Sequence, residues 1–226
     1  MQHYLNLPLI EQVILTLAAM ILASALALLA QSRVIATIRL FAWQGVLLAM
    51  VTALVAIDSG ELHMLISSLL TLTLKAMFIP WLLVRQARAL NILKDSDAAL
   101  RPGVTLLLGG ALVVFCYSVV HPVEALAASV TRDAIALSLA VVMLAMLMLI
   151  TRRKAVTQVV AFMAMENGLF FAAVTATQGM PLVVELGVAF DVMVAAVIFG
   201  VFFFQLRDSI GSLDIDELVR LSEHRE

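Results

Sequence analysis

VVAFMAMENGLFFAAV, residues 159–174, is apolar from end to end apart from Glu166 and Asn167. The chain on either side is also apolar, so the run extends over about 155–178, and a helix that crosses a bilayer needs roughly 17–25 such residues. The stretch therefore reads as a transmembrane helix with a carboxyl group near its middle. LLTLTLKAMFIPWLL (69–83) repeats the arrangement around Lys75, and VVELGVAFDVMVAAVIFG (183–200) repeats it around Asp191. Each charge at that depth costs about 2.5–3.5 kcal/mol, so the three work against insertion by roughly 8–10 kcal/mol. A plain anchor would carry Leu instead.

Working outward, seven windows have spanning length: about 9–31, 34–57, 62–86, 103–120, 134–151, 155–178 and 181–206. The runs are continuous and do not alternate, which argues against a barrel. The expected fold is all-α, a polytopic membrane protein of seven helices. Of 226 residues, 63% are hydrophobic and 13% charged, and the mean hydropathy is +1.09. Those values lie outside the soluble globular class. The start of the chain, MQHYLNLPLIEQ, has no basic segment and no cleavage pattern after it, so the first run is expected to stay as a helix.

Charge placement sets an orientation. Arg33 and Arg39, then Arg85, Arg88, Lys94 and Arg101, then Arg152, Arg153 and Lys154, with Arg207, Arg220 and Arg225, all fall on one side. The opposite joins hold Asp58, Glu61, Glu124 and Asp133, with Arg132 as their basic residue. The pattern predicts the N-terminus outside and the C-terminus in the cytoplasm. The polar loop 87–102 divides the chain into an N-terminal three-helix part, 1–102, and a C-terminal four-helix part, 103–206. A charged cytoplasmic tail, 207–226, follows. In the tail Ile215, Leu218 and Leu221 recur at helical spacing, which suits either a solvated amphipathic end or a docking element for a soluble partner.

Several chemistries are excluded. The one cysteine, Cys116, cannot build a disulfide, an iron–sulfur cluster or a thiolate metal site within this chain. His3, His63, His121 and His224 lie in tails or near helix ends, which speaks against b-type haem. No phosphate-binding glycine loop or nucleophile elbow is present. No catalytic residue, no metal ligand, no cofactor in this chain and no nucleic-acid partner are expected.

What remains is the intramembrane charge. Glu166 has no basic residue within a turn of its own helix, and its plain alternative role is a protonated acid bonded to a neighbouring helix. Asp191 stands about ten residues, roughly 15 Å of helix, from either end of its span, too deep for a short side chain to reach water. Lys75 precedes Pro80 by five residues, and Pro80 cannot donate to the carbonyl of Ala76, so a kink with freed backbone is expected beside the amine. Lys75 paired with either acid would be a structural ion pair, or a pair that opens and closes as a proton gate. Asn167, Gln44 and Glu185 are candidate neighbours of this group, with helix–helix adhesion the plain reading of Gln44 and an interfacial carboxylate that of Glu185.

The stretch RRKAVTQVVAFMAMENGLFFAAV (152–174), with 183–218 after it, resembles hydrogenase-4 component E, a membrane subunit of group 4 hydrogenase and formate hydrogenlyase complexes. That family's C-terminal helices are similar to subunit K of respiratory complex I. The M-E-N-G signature matches Met165, Glu166, Asn167 and Gly168; the acidic position of the last helix matches Asp191; and Leu213–Asp216 match the tail motif. Subunit K carries glutamate at both acidic positions, so Asp191 is one methylene short of its pattern. The resemblance implies a non-catalytic subunit of a redox-driven, ion-translocating complex in a bacterial or archaeal cytoplasmic (inner) membrane. It further implies antiporter-like and quinone-site-like membrane partners and a peripheral redox arm. On this reading Glu166 and Asp191 carry protons and Lys75 modulates them. The rivals are a structural scaffold of such a complex and a stand-alone secondary transporter.

Overall fold

The computed structural model describes residues 8–60, 62–89, 102–120, 129–176, 187, 189–198 and 200. Every element among them is helical. In chain order they are α1 (Leu9–Ala30), α2 (Val34–Ser59), α3 (Leu62–Thr71), a π-helical segment (Leu72–Phe78), α4 (Ile79–Ala89), α5 (Pro102–Val120), α6 (Ser129–Thr151), α7 (Ala155–Ala176) and α8 (Ala189–Ile198). With α3, the π segment and α4 taken as one continuous span, six helices are long and apolar enough to cross a membrane. They coincide with the first six expected spans. Of the seventh, 181–206, the described portion is helical, and the rest lies outside the described residues.

The bundle has α1, α2, α6 and α7 at its centre. α6 lies along α7, α1 packs on both α2 and α6, and α2 packs on α7. The N-terminal and C-terminal parts of the chain thus share one core, built from side chains such as Ile21, Ile38, Phe41, Leu48, Val160 and Phe171. α5 sits outside α1 and α6, and the π segment lies against α2.

Small residues bring these helices close, as they do where lipid offers no hydrophobic drive for helices to associate. A Cβ on Gly168 would stand 2.9 Å from Val142 Cγ2 and 3.2 Å from the carbonyl oxygen of Ser138, so α7 can lie on α6 only with glycine there. Gly109 does the same for α5, where a Cβ would stand 2.8 Å from Leu29 Cδ2. α2 ends at Gly60, whose φ of 73° is left-handed and whose N–H donates to the carbonyl of Ala56 at 3.0 Å.

The third span carries a disturbance of winding near the position where a kink was expected. The disturbance lies before Pro80, as a seven-residue π-helical segment, Leu72–Phe78. The N–H of Ile79 donates to the carbonyl of Leu74, five residues back. The next bond of that pattern would run from residue 80 to Lys75, but proline has no N–H, so the π winding stops there. Extra residues per turn rotate Lys75 relative to the α-helical frame and set it on the face turned toward α2 and α7. Segments of this kind recur at functional sites.

Candidate functional site

Lys75, Glu166 and Asp191 come from three different spans and meet inside the bundle. Lys75 is 1% exposed although its side chain is among the longest in the chain. Its ammonium group donates to Glu166 Oε2 and to Asn167 Oδ1, the latter at 3.0 Å. Asp191 Oδ1 stands 3.3 Å from Nζ, an ion-pair contact that lacks the angle of a hydrogen bond. The ammonium group thus makes two hydrogen bonds and one further ion-pair contact. Nζ also lies 5.2 Å from the centroid of the Phe170 ring, within cation–π range.

Local sequence explains how the group assembles. Gly45 follows Gln44 on α2, and a Cβ at Gly45 would stand 3.1 Å from Lys75 Cβ and 3.3 Å from the amide nitrogen of Ala76. The absent side chain lets the π segment lie directly on α2. Gly168 follows Asn167 on α7 and seats that helix on α6. Gly187, four residues before Asp191, lies under Phe170, where a Cβ would stand 2.6 Å from the ring. Gly45 and Gly168 each adjoin a polar member of the cluster on their own helix, and Gly187 stands four residues from Asp191. They bring the backbones together so that short side chains can touch.

The cluster continues away from the charges. Asn167 Nδ2 donates to Gln44 Oε1 at 3.2 Å, and Gln44 Nε2 donates to the carbonyl oxygen of Ile21 on α1 at 3.4 Å. Asn167 and Gln44 are fully buried. A polar line thus runs from Asp191 and Glu166 through Lys75, Asn167 and Gln44 to α1. On the other side Glu166 Oε1 is buried and makes no hydrogen bond, and Glu166 lines an apolar groove of about 260 Å³ with Phe162, Met165, Leu169, Phe170 and Phe190. The Phe162 and Phe190 rings pack there with centroids 5.6 Å apart.

Two carboxyl groups lie around one ammonium group, close enough for the charge on any one to be felt by the other two. With all three ionised the cluster carries one negative charge; with one acid protonated it is neutral. Among the described residues no group of three His, Cys, Asp or Glu side chains is placed to hold a metal ion.

Five of the six residues singled out in the sequence are brought together here: Lys75, Glu166, Asp191, Asn167 and Gln44. The sixth, Glu185, lies outside the described residues. Sequence reasoning missed Phe170, Gly45 and Gly187, although the Gln44-Gly45 and Asn167-Gly168 pairs were a usable signal. It also missed Arg152, which is buried and donates through Nη2 to the carbonyl of Leu29 at 2.9 Å and to that of Gln31. Arg152 caps the C-terminal end of α1 and does not serve only as a cation at the membrane edge.

The chain has relatives along most of its length. The uncharacterized Mycobacterium tuberculosis protein Rv0085 is 33% identical over 83% of this chain and 86% of its own length. Hydrogenase-4 component E of Escherichia coli is 25% identical over 80% of this chain and 84% of its own length, and that of Shigella flexneri matches equally. No protein-family model and no solved structure matches the chain.

Proposed function

The chain belongs to the hydrogenase-4 component E family of multi-pass membrane proteins, and from that premise we propose that it lends a proton-holding site to the membrane arm of a redox-driven complex. It acts there as a non-catalytic subunit of the cytoplasmic membrane, beside antiporter-like and quinone-site-like subunits and under a peripheral redox arm. Glu166 and Asp191 hold the exchangeable proton, and Lys75 moves between them. The observation that carries this reading is the pinning of one buried ammonium group between two carboxyls from two other spans. A scaffold has no use for that arrangement, since well-packed apolar residues of similar volume hold helices together as well or better.

The test is Glu166→Gln in the assembled complex, reconstituted in sealed vesicles. Redox turnover should persist while protons moved per turnover fall to a small fraction of the parent's, since an amide at 166 has no proton to exchange. Unchanged proton movement in an assembled variant refutes the reading. The accompanying orientation, N-terminus outside and C-terminus in the cytoplasm, is read by single-cysteine labelling at Asp58 and Arg153. Only the first should react with an impermeant reagent added outside.

A further inference from the structure

Gln44 and Asn167 are buried amides whose bonding direction is dictated from both ends. At one end stands the carbonyl oxygen of Ile21, which only accepts; Ser24 Oγ donates to the same oxygen at 2.6 Å. Gln44 must therefore turn its NH2 group toward α1, which leaves Oε1 facing Asn167. Asn167 must answer with Nδ2 and so turns Oδ1 toward Lys75. At the other end the ammonium group of Lys75 only donates, and it demands the same direction. Flipping either amide would set oxygen against oxygen at α1, or N–H against N–H at Lys75. An amide has no proton to give up at working pH, so this line transmits orientation and does not transmit protons.

We propose that Gln44 and Asn167 form a proton-closed strut that positions Lys75 and confines transfer to its Glu166–Asp191 side. This deepens the proton-site reading above and rests on it. The strut supplies Lys75 with a fixed acceptor, about which the amine turns between the two acids. Of its three partners Asn167 Oδ1 is the one that cannot titrate, and it is anchored through Gln44 to the backbone of another helix. Transfer then runs toward α8 and the groove beside Glu166, away from α1 and α2.

The experiment compares Gln44→Leu, Gln44→Glu and Glu166→Gln in the assembled complex, reading protons moved per redox turnover across a pH series. Gln44→Leu releases Asn167 and should lower the yield about fivefold at every pH, the worth of one neutral hydrogen bond. Gln44→Glu is the sharper variant. As a protonated acid it keeps the strut, its O–H donating to Ile21 and its carbonyl accepting from Asn167. Once ionised it has no donor, and the strut fails. Its yield should match the parent at low pH and fall as pH rises, with an inflection that neither the parent nor Gln44→Leu displays. The other ionisable groups around the strut, Lys75, Glu166 and Asp191, are present in the parent and in Gln44→Leu, so an inflection confined to Gln44→Glu reports the acid at residue 44 and its coupling to them.

Parent-like yields across the series in Gln44→Glu, with Glu166→Gln inactive, overturn the strut and leave the proton site standing. Parent-like yields in Glu166→Gln overturn both. Should Gln44→Leu not assemble, the Gln44→Glu profile decides alone, and a yield that stays flat through the ionisation of residue 44, read from its carboxylate infrared band, is the refuting result.

Discussion

Arg152 and Lys75 are both buried cations, and they use burial in opposite ways. Arg152, at the junction of α6 and α7, gives two hydrogen bonds to the carbonyls of Leu29 and Gln31, where α1 ends and its unsatisfied carbonyl groups concentrate partial negative charge. A carbonyl oxygen takes up no proton at any working pH, so that contact has one state. Lys75 gives its bonds to Glu166 and Asn167 and lies against Asp191, and two of those three partners can change charge. The same cost of burying a cation is offset by backbone carbonyls at one place and by two ionisable carboxyl groups at the other, and on the proposed reading the second set has interchangeable states. What separates structure from chemistry here is the partner, since charge and burial are common to both.

The comparison breaks most visibly at Lys75. Lys75→Leu leaves two acids facing each other in a low-dielectric interior, and removal of one member of a buried pair costs about 3–5 kcal/mol. The expected result is much less assembled protein in the membrane and a lower melting temperature in detergent. Replacing Lys75, Glu166 and Asp191 together by Leu removes every uncompensated charge and should recover assembly and melting while proton movement stays absent. A triple variant that assembles and still moves protons would mean the cluster is a joint of the Arg152 kind.

The charged members of the cluster were legible because a Lys, a Glu and an Asp at mid-span have no cheap structural excuse. The six long spans were legible for a related reason, since composition and length alone decide what a bilayer accepts. Which way a helix faces was not legible. The spans are apolar on all sides, so no stripe on α6 or α7 marks the buried face, and only Gly168 hints at the close approach. The π winding was half legible: Pro80 announced a missing bond, but the helix absorbed it upstream by lengthening its turns around Lys75. Arg152 was hidden in plain sight, because in the run Arg152-Arg153-Lys154 nothing local separates a side chain that folds back onto α1 from those that do not. That distinction depends on where α1 ends in space, which neighbouring sequence does not encode.

Arg152 supplies the smaller and more discriminating test. Arg152→Gln keeps an amide that can donate but loses the charge that suits a helix C-terminus, a change worth about 2 kcal/mol in a partly buried setting. Melting temperature and assembled yield should fall moderately, and Arg152→Lys should recover part of the loss through charge alone, since a point-like ammonium cannot reproduce the fork of a guanidinium group. Among the molecules that do assemble, protons moved per turnover should equal the parent's, because the carbonyls of Leu29 and Gln31 hold Arg152 at the end of α1, away from the cluster. A drop in that ratio, beyond the drop in yield, would tie the end of α1 to the cluster through Ile21 and Gln44, and the fixed joint would then be part of the moving one.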